Sequence, residues 1–272
     1  MTLLPQQPIG IFDSGIGGLT VAHKVIEDFS QEQIIYFGDT AHLPYGDKSD
    51  ELIQHYALNI SKFLIEKKCK LIVIACNTAS SVAYDLLRQE LGDQTIFVNV
   101  VDPAIKGILA INEDNKVGVI GTKGTISSDI YANKLRNANP VMQISSLATP
   151  LLAPMIEAGF FNSQISEQII HTYLQDEQLA DIKSLILACT HYPLIKKQIS
   201  GFYGNKVNVI DSTDFISTEI RKILTENNLL NVTGTQGDNH FYVSDYTESF
   251  EKTTKVFFTE KINLEYCPLW DA

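Results

Sequence analysis

Two short stretches hold the residues best suited to chemistry. In LIVIACNTAS, Leu71 to Ser80, an apolar run ends on Cys76 and gives way at once to small polar residues. LILACTHYPL, Leu185 to Leu194, repeats the arrangement with Cys189, followed by Thr190 and His191. A cysteine so placed is either a small apolar residue closing a buried strand or a thiol at the start of a helix. A helix N-terminus offers unpaired N–H groups and positive potential, which draw a thiol's pKa from about 8.5 toward neutrality, where it can take or give a proton. One such cysteine favours the structural reading; two in matching contexts favour proton chemistry. Ser80 or Ser81 is expected to cap the first helix and Pro193 to lie early in the second. Cys69, inside EKKCK, and Cys267 lack this context and read as structural.

Other loops supply groups that a thiol pair needs. DSGIGGLT, Asp13 to Thr20, contains the first half of a G-x-G-x-x-G fingerprint, but Thr20 takes the third glycine position. Asp39 stands about where a ribose-binding acid belongs, so a dinucleotide site is a weak runner-up. The alternative sets Asp13 and Ser14 at the carboxyl end of a strand, with glycines that let backbone approach a small ligand. Asp13 would then orient an ammonium or assist a proton transfer; otherwise it is a turn-capping aspartate. In GDTAHLPYG, Gly38 to Gly46, Pro44 stiffens a turn and Gly46 leaves an amide open to an anion, while Tyr45 by itself is unremarkable. His191 suits a base, a carboxylate donor or a metal ligand. A zinc set of Cys76, Cys189 and His191 lacks the close-spaced pairs usual for that metal.

The elements that must position these residues follow from periodicity. Short β-rich runs alternate with helical patterns, which predicts parallel sheet covered by helices. Strands are expected at Ile9–Phe12, Ile34–Phe37, Leu71–Ala75 and Ile96–Val100, then at Val117–Ile120, Val141–Ile144, Leu185–Ala188 and Val207–Ile210. Leu52, Ile53, Tyr56, Ile60, Phe63 and Leu64 recur at helical spacing, as do Val82, Ala83, Leu86 and Leu87 before Gly92 stops their helix. IGIFDSGIGG from Ile9 and VGVIGTKGTI from Val117 lie 108 residues apart, and the two cysteines 113 apart. Near-equal offsets of two separate features imply two similar doubly wound α/β domains related by a pseudo-two-fold axis. Residues 1–100 with 212–272 would form the first and 101–211 the second, the two cysteines facing each other across one cleft at the carboxyl edges of the sheets.

Composition bounds the task. The 272 residues carry a formal charge of −11, with no basic footprint for nucleic acid or anionic lipid. No run approaches the roughly 20 apolar residues of a membrane span, and the N-terminus has no basic leader region, so a cytoplasmic location is expected. Four scattered cysteines do not make a disulfide framework in a chain of this size. A small-molecule substrate is favoured over any macromolecular partner.

FDSGIGGLTV, YFGDTAHLPYG, ACNTAS, MIEAG and ACTHYPL, in this order from Phe12 to Leu194, resemble the cofactor-independent aspartate/glutamate racemase family, and within it the branch acting on glutamate. The resemblance covers the chain to about Leu229. It implies two α/β domains around a central cleft, a two-base mechanism with no cofactor and no metal, and supply of D-glutamate for peptidoglycan and hence cell shape. Carried over, it makes Cys76 and Cys189 the proton donor/acceptors, Cys76 acting on D-glutamate and Cys189 on L-glutamate. Asp13, Ser14, Tyr45, Gly46, Asn77, Thr78, Thr190 and His191 fall on substrate-binding positions, with Asp13, His191 and Glu157 assisting catalysis. The sequence by itself would call Glu157 a helix-face glutamate. His42 stands where the family often has Arg, and Ala188 where it often has Gly. The resemblance leaves a homodimer open. Aspartate or hydantoin racemisation, a two-cysteine redox enzyme and a non-catalytic amino-acid-binding protein are the competing readings.

Overall fold

The computed structural model describes residues 2–111, 116–233, 237–246, 251, 254–255, 258 and 262–270. In chain order its strands are β1 (Ile9–Asp13), β2 (Ile34–Gly38), β3 (Leu71–Ile74), β4 (Ile96–Asn99), β5 (Lys116–Gly121), β6 (Gln143–Ala148), β7 (Ser184–Ala188), β8 (Asn208–Asp211), β9 (His240–Val243) and β10 (Leu264–Tyr266). The helices between them are α1 (Leu19–Asp28), α2 (Asp50–Glu66), α3 (Asn77–Leu91), α4 (Val101–Ile111), α5 (Lys123–Ser127), α6 (Ile130–Ala138), α7 (Leu152–Glu157), α8 (Gln164–Leu174), α9 (Lys196–Phe202) and α10 (Thr213–Glu226).

The strands form two parallel sheets, ordered β10-β9-β2-β1-β3-β4 and β6-β5-β7-β8. The order β2-β1-β3-β4 in one recurs as β6-β5-β7-β8 in the other, so the internal repeat read from two glycine-bearing strands is a repeat of topology. β1 corresponds to β5, and β3 to β7. Each sheet is buried on both faces, which is why its strands read as near-continuous apolar runs. Ile9, Ile11, Leu71 and Val73 pack on one face of the first sheet with Leu19 and Val25 of α1 and Ile216 and Ile220 of α10. Phe12, Ile72 and Ile74 point the other way, onto Ile53 and Ile60 of α2 and Ala83 and Leu87 of α3. In the second sheet Ile120, Leu185 and Leu187 meet α7, α8 and α9, while Val117, Val119 and Ile186 meet α4 and α6. The alternation is the period-two geometry of strands.

Three local expectations are corrected. The sixth strand is Gln143–Ala148 and not Val141–Ile144; Val141 is 68 % exposed in the turn before it. That strand lies at a sheet edge, and its polar composition gave little apolar pattern to find. Of the apolar residues read at helical spacing in α2, Leu52 is exposed, whereas Ile53, Tyr56, Ile60 and Leu64 are buried. The third is an omission: the sequence reading assigns the chain beyond α10 to the first domain without strands, and it adds two to that sheet, β9 pairing with β2 and β10 with β9. Among the described residues no helix is long and apolar enough to cross a membrane.

Candidate active site

In both sheets the strand order reverses beside the first strand of the repeat, and ligands of open α/β sheets bind outside the carboxyl ends at such points. Cys76 follows β3 and Cys189 follows β7, at equivalent places. The two edges face each other and enclose a cavity of about 30 Å³, lined by Ser14, Tyr45, Gly46, Cys76, Asn77 and Thr78 from one side and Thr122, Glu157, Cys189, Thr190 and His191 from the other. Both thiols are almost wholly buried.

Cys76 is itself the N-cap of α3. Its Sγ accepts from the Ala79 N–H at 3.4 Å and its thiol donates toward Ser14 Oγ at 3.7 Å. This displaces the expected serine cap: Ser80 Oγ donates to the Ile74 carbonyl and Ser81 Oγ to the Asn77 carbonyl. The thiol is not drawn toward neutrality either. Burial pushes it up to about 12, with the Asp13 carboxylate adding to the rise, and the amide at the helix start only partly offsets them. Desolvation outweighs a helix terminus because it penalises the whole thiolate charge, whereas the terminus supplies about half a charge.

Cys189 sits in a different field. Pro193 does open a short 3-10 turn, Tyr192–Ile195, that leads into α9. Cys189 Sγ lies 3.6 Å from His191 Nδ1, within hydrogen-bonding reach for sulfur. His191 Nε2 approaches Glu157 Oε1 to 3.0 Å, off the N–H axis, so the contact is an ion pair rather than a linear hydrogen bond. Burial alone would depress the imidazole, but Cys189 and Glu157 together hold it well above its ordinary value. One thiol therefore faces a carboxylate and the other an imidazolium.

Asp13 is fully buried one layer behind the cavity wall. Its Oδ2 accepts from the Gly15 and Gly18 amides, and Oδ1 from Thr190 Oγ1 across the cleft at 3.3 Å. Burial raises its pKa. The glycine loop is filled rather than open: a Cβ on Gly17 would come within 2.4 Å of His191 and 2.6 Å of the Thr190 hydroxyl. This removes the dinucleotide reading, since the opposing domain occupies the space a pyrophosphate needs. Asp39 is equally buried, and its oxygens are taken by the Tyr45, Ser244 and Trp270 side chains.

Several groups line the cavity as polar donors. Asn77 Oδ1 accepts from Tyr131 O–H at 2.6 Å, and Nδ2 is buried with no partner among the described residues. Thr78, Thr122 and Thr125 join their hydroxyls in a triangle with sides of 2.9, 3.1 and 3.1 Å. Gly46 lies against Thr122, where a Cβ would come within 2.7 Å. Thr122, Thr125 and Tyr131 were missed in the sequence. The repeat held a signal for the two threonines, because GTKGT after β5 corresponds to DSGIG after β1; nothing local marks Tyr131.

The model of the Asp/Glu/Hydantoin racemase family matches residues 19–219. The chain belongs to that family. A glutamate racemase of Geobacter metallireducens is 40 % identical over 263 residues, which cover 97 % of either chain. The crystal structure of glutamate racemase from Francisella tularensis in complex with D-glutamate superposes with a TM-score of 0.91 at 37 % identity, covering 99 % of this chain and 100 % of that one. The Thermus thermophilus glutamate racemase, solved with β-chloro-D-alanine, gives a TM-score of 0.86 at 33 % identity over 97 % and 98 % of the two chains. Family membership accounts for the duplicated sheets and the shared cleft.

Proposed function

We propose that this chain is a glutamate racemase working through two cysteines and without a cofactor. The observation that carries the reading is the placement of Cys76 and Cys189 at topologically equivalent strand ends on opposite walls of one cavity. Inverting an α-carbon means removing a proton from one face and returning one to the other, which requires an acid and a base on opposite sides. With L-glutamate the Cα–H bond breaks and its proton passes to the Cys189 sulfur, while the Cys76 S–H proton is delivered to the other face. With D-glutamate the two roles exchange. The substrate carboxylates are held by Asn77 Nδ2 and the amide of Gly46, and the charge developing on the α-carboxylate is met by the hydroxyls of Thr78 and Ser14. Asp13 and Thr190 brace the cleft between the domains, and the Glu157–His191 pair serves the Cys189 side. The pairing of a high thiol beside Asp13 with a sulfur beside an imidazolium supports a resting form in which Cys76 carries its proton.

Admitting glutamate requires the walls to part, since about 30 Å³ holds one or two waters. Residues 1–100 with 212–272 are assigned to one moving α/β domain and 101–211 to the other. The enzyme would act in the cytoplasm, supplying D-glutamate for peptidoglycan.

The test is a circular-dichroism assay of the purified protein on L- and D-glutamate and on both aspartates. Glutamate should lose its optical activity from either side, and chelator-treated protein should do the same without additions. Folded Cys76→Ala and Cys189→Ala variants should each lose at least ~10²-fold in both directions, the lower bound for removing an acid/base group. Near wild-type racemisation by either would end the two-base assignment. Ready formation of a Cys76–Cys189 disulfide under mild oxidation, counted as lost free thiol, would favour a redox enzyme instead.

A further inference from the structure

The turn that presents Tyr45 and Gly46 to the cavity is anchored from behind by Asp39, a fully buried carboxylate. Its Oδ2 accepts from Tyr45 O–H at 2.6 Å. His42 Nδ1 sits 3.0 and 3.1 Å from its two oxygens. Oδ1 accepts from Ser244 Oγ at 2.7 Å and from the indole N–H of Trp270 at 2.9 Å. The last two donors come from the tail, more than 200 residues away along the chain. Leading to Trp270, the Cys267 amide bonds to the Val243 carbonyl, which fixes the tail to β9. The indole ring packs edge-on to Tyr56 at 5.2 Å and to His42 at 4.8 Å, while His42 stacks on Tyr56 at 4.0 Å.

We propose that Trp270 is a positioning residue for the substrate turn, acting through Asp39 on Tyr45 and Gly46. A buried carboxylate is held in one orientation only when its lone pairs are met by donors, and a donor to a charged acceptor counts for more than one to a neutral group. With the indole N–H gone, Asp39 loses one of the bonds that fix its plane, and the Tyr45 hydroxyl loses a fixed acceptor. The Gly46 amide, which must sit within hydrogen-bonding distance of a substrate carboxylate, then samples more than one position. Because that contact is made in ground and transition states alike, its loss shows in KM and not in kcat.

This inference rests on the racemase reading, and the experiment separates the two. Trp270 is the chain's single tryptophan, so emission excited beyond the tyrosine absorption band reports the surroundings of this indole. In the wild-type enzyme, titration with D- or L-glutamate should shift the emission and saturate in step with KM. The W270F variant keeps a packing ring but removes the donor; it should raise KM about tenfold for both enantiomers, as expected for one hydrogen bond to a charged group, with kcat within about twofold. Folded W270F with unchanged KM overturns the proposal. Should W270F not fold, the wild-type titration decides, and flat emission through saturation overturns it. Absence of turnover by wild type on any amino acid refutes the racemase reading, whereas an active wild type with an unmoved W270F refutes only the role of Trp270.

Discussion

At the scale of single residues, the two thiols are alike in topology and unlike in field. The symmetric picture of two acidified cysteines gives way to a pair in which burial keeps the Cys76 proton on and an imidazolium attends Cys189. Enantiomers have an equilibrium constant of one, so kcat/KM must be the same from either side at every pH, and the asymmetry cannot appear there. In the proposed mechanism the productive enzyme holds one proton on the thiol pair, which predicts a bell-shaped kcat/KM with limbs belonging to the coupled groups. Because Cys76 is raised and His191 keeps its proton well above the ordinary imidazole range, the alkaline limb should lie above the ~8.5 of a free thiol. Profiles from roughly pH 6 to 10.5 should superimpose for the two enantiomers; a fall centred at or below the free thiol value would contradict the burial argument. Tyr131 offers a second check. Tyr131→Phe frees Asn77 to turn its amide, and KM should rise about tenfold, the equivalent of one buried hydrogen bond, with little change in Tm.

Among the elements, the loops after β1 and β2 matter because they close on the opposite sheet at glycines. A side chain at Gly17 would press on a His191 ring already fixed between Cys189 and Glu157, and one at Gly46 would press on Thr122. Neither glycine has the positive φ that would demand it for backbone reasons, so an alanine at each should fold and fail to close. A misplacement of about 1 Å at a reacting centre can cost on the order of 10²-fold. Gly17→Ala and Gly46→Ala are therefore expected to lower kcat/KM by that order while urea unfolding midpoints stay near wild type. A comparable loss of stability would show that these positions serve packing within a domain instead.

For the whole molecule, the first sheet is built from both ends of the chain, and a buried ion pair ties them. Lys70 Nζ donates to Glu32 Oε2 at 2.6 Å and to the carbonyls of Pro5 and Leu229, and Glu32 Oε1 accepts from the Asn231 amide. Both side chains are essentially inaccessible. Removing Lys70 takes the cationic partner from the buried Glu32 carboxylate, the kind of change that costs roughly 3–5 kcal/mol. Lys70→Met should lower unfolding free energy by that amount in urea titrations, while protein that remains folded keeps its kcat. A loss under about 1 kcal/mol would mean that water reaches Glu32 in the variant and screens it.

Much of the site was legible before the fold, because a strand ending on a thiol with polar followers is a local pattern and its recurrence at a near-constant offset reports a duplicated sheet. That is how Cys76, Cys189 and the loops after the first strands were picked out, whereas the family came from the likeness of five short motifs to known racemases. What the sequence could not determine depends on groups brought together by packing. The Cys76 cap is one case, since a thiol acting as its own helix cap differs from a serine cap only in the angle at which the chain enters the helix. The height of the Cys76 pKa is another, because burial is a property of everything packed around a residue and of no residue alone. Tyr131 reaches Asn77 across 54 residues and Trp270 reaches Asp39 across 231, separations over which periodicity carries no information. The sequence by itself marked which side chains have the type and placement for proton exchange; the tertiary structure decided that burial holds the Cys76 proton on, because desolvation and charge neighbours exist only once the two sheets face each other.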